Sequence, residues 1–418
     1  MQQIRSIQEM DIKLGERFQK VFTETWEHKK AGGLVCWSTS GGYNEFLREL
    51  GIRVVIPEVY GMVLSSTGMS PELCRNTDIY GYSPDLCSII RSFSGFALSD
   101  PPMDPSTLPF GGFPKPDVLF CADYCPGLVK MWQEFARVFD IPMYVMEHPW
   151  VPDAVSADPE EMGNKVQECM TEFAGAISFF ENFSGQKLAE DQLQKIANNM
   201  KEASVLWHDI LAMNQNIPAP LSFFDVANQF AVFQFYKGTD ECVQYYKELK
   251  AFVEDRVANT VTSIPEKYRV FWFGLPIGYR MAQHIEKFTR IQVQPVMSQW
   301  ACYFGNPNME TNDPIRGIVQ YHNLSTLQFR GVEWKRDYIL KLIEDYKVDG
   351  IILEISRTCQ VINFDQKDIA ETLVKKTGLP MVSFEADLCD ERLYSDEQFN
   401  NAVDSLVEMM ERRGPGRL

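Results

Sequence analysis

The stretch Gly33-Leu34-Val35-Cys36-Trp37-Ser38 is a short apolar run that ends in a small polar residue. A run of this length between glycine and serine is typical of a buried strand in a parallel sheet. Residues 44–50 follow with a helix-like pattern, and a second apolar run occupies residues 52–56. Short apolar runs that alternate with helical patterns predict an α/β fold.

The same alternation recurs on both sides of a helical region. Further buried strands are predicted at residues 117–121, 142–146, 268–274, 291–297, 350–355 and 380–384. Residues 166–181, 189–214 and 239–257 have helical periodicity with polar outer faces. The sequence therefore predicts two Rossmann-like or flavodoxin-like parallel-sheet lobes with a helical segment between them. The predicted units are an N-terminal helix (1–30), a first α/β lobe (31–154), a mainly helical segment (155–265) and a second α/β lobe (266–418).

Length and charge limit the classes of function. A chain of 418 residues is too long for one ordinary core, which agrees with several units. Its net charge of −17 repels phosphate backbones and anionic membrane surfaces. No apolar run approaches the roughly 18 residues of a membrane span, and the N-terminal residues lack the pattern of a targeting segment. We therefore expect a cytoplasmic protein with no membrane and no nucleic-acid partner.

Ten cysteines are the most informative feature of the composition. Disulfides are disfavoured in the cytoplasm, so each cysteine is a buried apolar residue, a metal ligand or a reactive thiol. Sites of open parallel sheets form just beyond the carboxyl ends of strands. The polar or sulfur-containing residues predicted at such positions are Cys36, Ser38, Ser40, Glu58, Cys121, Cys125 and Cys359. Thiolates there suit an iron–sulfur cluster or zinc.

The spacing of these residues does not decide between the alternatives. The one close pair, Cys121 and Cys125, forms a C-x3-C pattern that matches no strong zinc or ferredoxin motif. A Ser–His–Asp site has less support, since only His148 among the histidines follows a predicted strand and no G-x-S-x-G elbow occurs. Gly41-Gly42 lacks the remaining glycines of a dinucleotide-binding fingerprint. The spacing therefore leaves two interpretations open: the cysteines bind a metal, or they are buried structural residues.

Several segments, taken in order, resemble a known family. They are Leu34-Val-Cys-Trp-Ser-Thr-Ser40 with Glu45-Phe46 and Ile56-Pro57-Glu58, Gly81-Tyr-Ser-Pro-Asp-Leu-Cys87-Ser88, Pro116-Asp-Val-Leu-Phe-Cys-Ala-Asp-Tyr-Cys125, Asp349-Gly350 with Ser356-Arg-Thr-Cys359, and a tail that includes Glu385-Ala-Asp387 and Asp390-Glu-Arg392. The ordered set resembles the 2-hydroxyacyl-CoA dehydratase and benzoyl-CoA reductase family. Within that family the chain is most similar to alpha subunits of the lactoyl-CoA dehydratase type.

The resemblance implies a [4Fe–4S] cluster that is held by Cys87, Cys125 and Cys359. Three protein thiolates on four irons leave one iron open to an oxygen of the substrate. The resemblance also implies that Glu58 acts in proton transfer or hydroxyl departure, and that Ser40 hydrogen-bonds the thioester oxygen or the ligand of the open iron. The alternatives are a helix-capping or surface carboxylate for Glu58 and a helix N-cap for Ser40. Cys121 is expected to be a buried residue.

The reaction that the resemblance implies is the elimination of water from an (R)-2-hydroxyacyl-CoA to a 2-enoyl-CoA through a ketyl radical. The chain would then be a lyase subunit with an acyl-CoA substrate. Its expected partners are a homologous beta subunit, in a heterodimer, and a separate ATP-dependent iron–sulfur activator protein. The cofactor carries the difficult step in such enzymes, and the protein supplies orientation and electrostatics.

Three departures from the family pattern concern the substrate more than the cluster. Ala122-Asp123 stands where dehydratases often have two asparagines, and Gly41-Gly42-Tyr43-Asn44 stands where they usually have prolines. Val59-Tyr60-Gly61 also replaces the small, histidine-containing continuation after Glu58. Two alternatives therefore stay open: a subunit of an ATP-dependent benzoyl-CoA reductase, and a non-catalytic structural or electron-relay iron–sulfur subunit.

Overall fold

The structure is a computed structural model that describes residues 3–100, 102–302, 304–325 and 330–413. Its helices are α1 (Gln8–Lys30), α2 (Pro57–Ser66), α3 (Ser70–Ile79), α4 (Ser88–Ala97), α5 (Pro126–Phe139), α6 (Asp153–Ser156), α7 (Pro159–Ser184), α8 (Glu190–Met213), α9 (Phe223–Gln229), α10 (Val232–Tyr236), α11 (Asp240–Ala258), α12 (Met281–Ile291), α13 (Gln299–Cys302), α14 (Pro314–Ser325), α15 (Val332–Asp345), α16 (Gln360–Thr377) and α17 (Asp396–Arg413). Its strands are β1 (Gln3–Ile4), β2 (Leu34–Trp37), β3 (Ile52–Val55), β4 (Val118–Ala122), β5 (Met143–Met146), β6 (Val261–Thr262), β7 (Tyr268–Phe273), β8 (Val293–Ser298), β9 (Gly350–Ser356) and β10 (Met381–Ala386).

Each lobe contains a four-stranded sheet in which all neighbouring strands are parallel. The order is β3-β2-β4-β5 in the first lobe and β10-β9-β7-β8 in the second. When the strands are counted from the first strand of each lobe, the first sheet has the order 2-1-3-4 and the second, read from its other edge, has the order 2-1-3-4 as well. This is the flavodoxin-like arrangement. Sites in such sheets form between strands 1 and 3, at the point where the strand order reverses. The prediction of two parallel-sheet lobes is confirmed.

The predicted strands of both lobes agree with the observed ones to within two residues at each end. The helix predicted over residues 44–50 is shorter, because only Leu47–Leu50 forms a single 3-10 turn. Upstream of this turn, the Asn44 amide donates to the Ser38 hydroxyl at 3.2 Å, and Gly51 ends the turn with φ 72°. The domain boundaries given above stay predictions.

The two sheets and the intervening helices share one apolar core. Trp37 of β2, Trp207 of α8 and Phe271 of β7 belong to the same cluster of buried side chains. The Trp207 indole N–H also donates to the Ala301 carbonyl at 3.1 Å, so the helical segment is joined to the second lobe. Burial of each large side chain contributes roughly 1.5–3 kcal/mol. The lobes therefore stabilise each other through the helical segment.

The apolar surface of the helices is used for packing within the protein. Helices α7 and α8 pack against α14, and α8 packs against α11. No helix in the described part of the chain has the length and apolar content that a membrane span needs.

Candidate functional site

A cavity of ≈ 370 Å³ lies where the two lobes face each other, and α1 and the α9–α10 connection also contribute to its wall. All five residues that the family resemblance assigns to the site line this cavity: Ser40, Glu58, Cys87, Cys125 and Cys359. The other residues expected after strands, Cys36, Ser38 and Cys121, are fully buried and are not part of its lining. The five lining residues come from distant parts of the chain and are brought together by the facing carboxyl ends of the two sheets. Cys125 follows β4 and Cys359 follows β9, and each of these is the third strand of its lobe.

The three cysteines share one local structure. Each immediately precedes a helix: Cys87 precedes α4, Cys125 precedes α5 and Cys359 precedes α16. A helix N-terminus presents free backbone N–H groups and the positive end of the helix dipole. Three helices therefore direct positive potential at the same part of the cavity, which favours thiolates and the negative charge of an iron–sulfur cluster.

The three thiols are close enough to influence one another electrostatically. Burial raises the pKa of Cys87 above its ordinary value, and the thiols of Cys359 and Cys125 raise it further. Burial likewise raises the pKa of Cys359 to about 12, with a further contribution from Cys125. Burial also raises the pKa of Cys125, while the backbone N–H groups of Leu128 and Gly127 lower it. Bound iron would reverse this balance, because a metal ion deprotonates a coordinating thiol.

Hydrogen bonds between the lobes hold the segments of Cys87 and Cys359 together. The Ser88 N–H, one residue after Cys87, donates to the Thr358 hydroxyl at 3.0 Å, one residue before Cys359. Thr358 in turn donates to the buried Asp387 carboxylate at 2.6 Å. The distance between the two cysteine segments is therefore fixed by contacts that do not need a ligand.

The donor set is suited to a cluster rather than to one metal ion. All three cysteines are free thiols and only partly exposed. Within the described ranges, no three side chains of His, Cys, Asp or Glu are close enough to hold a single ion. Three soft sulfur donors around an apolar cavity are the type of ligand that an iron–sulfur cluster takes.

Glu58 is a buried carboxyl at the second residue of α2. Its Oε2 atom accepts the backbone N–H of Ser40 at 2.9 Å, and burial raises its pKa from 4.5 to about 8. The structure excludes a surface carboxylate at this position. Ser40 does not cap a helix either, because its hydroxyl donates to Gln234 Oε1 at 2.8 Å and so joins the first lobe to α10.

The loop that carries Ser40 is fixed by a buried charged network, which we call the Lys237 network and which consists of Lys237, Glu45 and His322. The Lys237 ammonium is 3.0 Å from Glu45 Oε2 and donates to the Gly42 carbonyl at 2.7 Å. His322 Nε2 is 3.2 Å from Glu45 Oε1. Burial by itself would raise the pKa of Glu45, but Lys237 and His322 hold it at about 2. The carboxylate is therefore ionised, and its main partner is the Lys237 ammonium.

The second lobe repeats a hydrogen bond of the first lobe at the cavity. In the first lobe the donor, Ser40, follows the first strand, and the acceptor, Glu58, follows the second. In the second lobe the Gly274 N–H, after the first strand, donates to Gln299 Oε1, after the second strand, at 3.3 Å. Gln299 also lines the cavity, and it is an amide at the position that corresponds to the Glu58 acid of the first lobe.

Glu354 is a buried carboxyl that the sequence analysis missed. It lies inside β9, and its Oε2 atom accepts the Leu275 N–H at 2.8 Å. Gly274, with φ 151°, packs so closely that a Cβ there would lie 2.5 Å from this Oε2 atom. Burial raises the pKa of Glu354 to about 8. The available signal was one glutamate in the otherwise apolar run Gly350-Ile-Ile-Leu-Glu-Ile-Ser356.

The raised pKa values of Glu58 and Glu354 predict that stability falls as the pH rises from about 7 to 8. In this range the folded protein keeps protons that the unfolded chain has lost. The buried histidines do not oppose this, since burial lowers the pKa of His284 to about 3 and that of His322 to about 4. Glu58→Gln and Glu354→Gln should each reduce the loss by on the order of 1 kcal/mol.

Urea unfolding of the iron-free protein at the two pH values measures this effect. Glu411→Gln, at an exposed ion pair with Lys267, is the control and should leave the pH dependence as it is in the wild type. If both buried variants keep the full pH dependence, these two carboxyls do not carry it.

Comparison with known proteins gives evidence that is independent of this geometry. The family model of the 2-hydroxyglutaryl-CoA dehydratase D-component matches residues 40–410, a range that contains all five predicted site residues. The chain is 25% identical to the (R)-phenyllactyl-CoA dehydratase alpha subunit of Clostridium sporogenes, over 92% of this chain and 91% of the relative. It is 26% identical to the lactoyl-CoA dehydratase alpha subunit of Anaerotignum propionicum, over 92% of each. It is 22% identical to a benzoyl-CoA reductase subunit of Thauera aromatica, over 90% of this chain and 88% of the relative.

The match extends over most of the chain and includes both lobes. The resemblance that the sequence motifs indicated is therefore confirmed, and the chain belongs to the 2-hydroxyglutaryl-CoA dehydratase D-component family.

Proposed function

We propose that the chain is the alpha-type iron–sulfur subunit of a 2-hydroxyacyl-CoA dehydratase, a hydro-lyase that converts an (R)-2-hydroxyacyl-CoA to a 2-enoyl-CoA. One observation carries the proposal. Three cysteines at helix N-termini line the same cavity as a protonatable buried carboxyl, in a chain whose relatives include named dehydratase alpha subunits.

Cys87, Cys125 and Cys359 are the residues that would hold a [4Fe–4S] cluster. When bound through three protein thiolates, such a cluster supplies Lewis-acid and one-electron chemistry at an open iron. The chain supports it by directing three helix N-termini at the thiolates and by fixing the Cys87 and Cys359 segments through Ser88 and Thr358. The apolar wall limits access of water to the same space.

The reaction has a specific chemical difficulty that the proposal addresses. The hydroxyl of the substrate is on the α carbon, and the β hydrogen that must leave is not acidic. In the proposed route the thioester carbonyl gains one electron and becomes a ketyl radical anion, which expels the α-hydroxyl. The β hydrogen of the resulting species is acidic, and the electron is returned after its loss, so the reaction has no net redox change. A separate ATP-dependent iron–sulfur activator would deliver the first electron.

Glu58 and Ser40 are the proposed catalytic residues. With a pKa of about 8, Glu58 is mostly protonated at neutral pH and can donate its proton to the departing hydroxyl, which then leaves as water. The Glu58 carboxylate that remains can accept the β proton, which restores the protonated acid. The Ser40 backbone N–H orients this carboxyl through its hydrogen bond to Oε2. In this proposal the Ser40 hydroxyl, which donates its one proton to Gln234 Oε1 in the ligand-free cavity, turns that proton to an oxygen of the thioester when substrate binds.

A homologous beta subunit is the proposed partner in a cytoplasmic heterodimer. Two relatives are named as alpha subunits, which implies a second type of subunit in those enzymes. Phe364 of α16, the helix that begins after Cys359, is 86% exposed, and Ile79 at the end of α3 is 79% exposed. In this proposal these two exposed apolar side chains are candidates for contacts with the beta subunit.

A role in benzoyl-CoA reduction is the second candidate, because a subunit of benzoyl-CoA reductase is among the relatives over most of the chain. The two functions differ in the number of electrons that each turnover consumes. A dehydratase returns its electron, whereas a reductase transfers two electrons to the ring and consumes reductant with every turnover.

The test is anaerobic co-expression with the beta subunit and activator of the same organism, followed by iron and sulfide analysis and assays on acyl-CoA thioesters. We expect the four irons and four sulfides of one cluster in this chain, a heterodimer in size-exclusion chromatography, and dehydration that needs only catalytic amounts of reductant. Benzoyl-CoA reduction with stoichiometric reductant would support the second candidate. A chain that is free of iron, or that elutes as a monomer when its partner is also present, would contradict the proposal.

A further inference from the structure

Most of the cavity wall is apolar. It is formed by aliphatic and aromatic side chains from α1, α2, α15 and α16, among them Leu14, Phe18, Met62, Val63, Ile339 and Ile369. No single element supplies this surface, because residues of both lobes and of the N-terminal helix converge on it. Space of this kind binds an uncharged apolar group through burial of its surface.

Three aromatic rings form a compact group on this wall. The Phe230 ring lies 4.1 Å from the Trp300 ring and 4.2 Å from the Phe304 ring, and the Trp300 and Phe304 rings are 5.3 Å apart, all measured between centroids. All three side chains line the cavity. Aromatic rings that contact each other in tilted or edge-on geometry leave faces and edges that pack well against another ring or a branched alkyl group.

The charges at the cavity exclude a different kind of acyl group. Among the described residues of the wall, Lys335 is the one cation, and its ammonium is engaged in a close ion pair with the Asp365 carboxylate. Glu58, on the same wall, is an acid and offers no positive charge. A carboxylate on the acyl side chain of a substrate would therefore enter apolar surroundings without a free positive partner, which is strongly unfavourable.

We infer that the cavity binds 2-hydroxyacyl groups with an uncharged, apolar side chain, aromatic or branched, and excludes those that end in a carboxylate. The inference rests on the proposed function, since it names the acyl group of the proposed thioester substrate. The aromatic group selects size and shape, and the Lys335–Asp365 pair removes the charge that an anionic side chain would need.

The first experiment compares four thioesters on the reconstituted holoenzyme: phenyllactyl-, 2-hydroxyisocaproyl-, lactoyl- and 2-hydroxyglutaryl-CoA. We expect kcat/KM for the first two to exceed that for lactoyl-CoA by about tenfold or more. For 2-hydroxyglutaryl-CoA we expect it to be lower than for the first two by at least about 100-fold. Comparable values for 2-hydroxyglutaryl-CoA and the apolar substrates would overturn the inference.

Equilibrium binding of the same four thioesters separates this inference from the proposed function. If none of them is dehydrated, the proposed function fails, but the order of affinities still tests the cavity. We expect the phenyl and branched thioesters to bind more tightly than the dicarboxylate by the same factors, and equal affinities would contradict the inference.

Asp365→Asn provides a second and sharper test. This change leaves Lys335 without its carboxylate partner, so the kcat/KM ratio of 2-hydroxyglutaryl-CoA to 2-hydroxyisocaproyl-CoA should rise about tenfold or more. The matched control is Asp337→Asn, on the exposed side of α15, where Asp337 pairs with Arg336. It should leave the ratio unchanged. An unchanged ratio in both variants would show that the ion pair does not exclude anionic substrates.

Phe304→Leu tests the aromatic group without a change of charge. The smaller side chain removes one of the three rings, so the preference for phenyllactyl-CoA over lactoyl-CoA should fall by about threefold to tenfold. A preference that stays at the wild-type value would exclude the aromatic group as the site of the acyl side chain.

Discussion

Cys125→Ser is expected to remove most of the iron from the protein and to abolish dehydration. A serine hydroxyl is a hard and weakly acidic donor, so it does not replace a thiolate on iron. Loss of a residue that only supports a metal ligand already costs about 10–100-fold in affinity or activity, and loss of the ligand itself should cost more. Iron and sulfide content, the visible absorption of the anaerobically purified protein and the dehydration rate measure the effect.

Cys121→Ala is the matched control for this variant. Cys121 lies four residues earlier in the same segment and is fully buried in β4, where it belongs to the apolar core. Because alanine also suits a buried apolar position, this variant should keep its iron and most of its activity. A Cys125→Ser protein with full iron and full activity would contradict the proposed cluster ligands, and an iron-free Cys121→Ala protein would show that the distinction between the two cysteines is wrong.

Lys237→Met is expected to have the largest effect on stability. It removes the charge that holds Glu45 ionised while keeping a side chain of similar length. Breaking a buried ion pair by removing one partner typically costs about 3–5 kcal/mol, because the other charge remains buried. His322 replaces only part of the lost charge, because burial is the largest cause that lowers its pKa to about 4 and it persists after Lys237 is removed. The free energy of unfolding in urea at neutral pH measures the loss.

The exposed pair of Lys195 and Asp240 supplies the control for this prediction. Its charged atoms are 2.7 Å apart, but both side chains are in water, so Lys195→Met should leave the unfolding midpoint nearly unchanged. The double variant Glu45→Gln/Lys237→Met should recover part of the loss, because no unpaired charge then stays buried. Equal midpoints for Lys237→Met and Lys195→Met would contradict the role of burial.

The Lys237 network also affects the shape of the loop that presents Ser40 to the cavity. Gly41 and Gly42 place few conformational limits on the loop that presents Ser40, so its shape depends on contacts from elsewhere. The Lys237 ammonium holds the Gly42 carbonyl, and the Ser38 and Asn44 side chains close the loop on itself. In this chain a hydrogen bond from the α10–α11 connection provides part of this restraint.

Most of the fold could be predicted from local sequence. The eight strands of the two sheets are short apolar runs between turns, so their positions follow from periodicity alone. Helices α2, α3 and α4 were not predicted as separate elements, because their buried faces include polar residues such as Glu58, Thr77 and Arg91. The partners of such residues come from distant segments, as Asp390 does for Arg91 at 2.6 Å.

The candidate site could be predicted less well from local sequence than the fold. Cys87, Cys125 and Cys359 form no motif by spacing, and it was the ordered family resemblance that selected them among ten cysteines. The structure adds a physical reason, since each of the three precedes a helix at the cavity. Glu354 and Gln299 were missed because burial against Gly274 and the loop after β7 depends on contacts between distant segments.

The common strand order of the two lobes has a consequence for the orientation of a bound molecule. The cavity is bounded by two halves with matching backbone, yet the residue after the second strand is an acid in one half and an amide in the other. Of these two residues, only Glu58 can release a proton. A molecule that binds with the roles of the two halves exchanged would turn its hydroxyl toward Gln299, so this near-duplicate architecture still favours one orientation of a bound molecule.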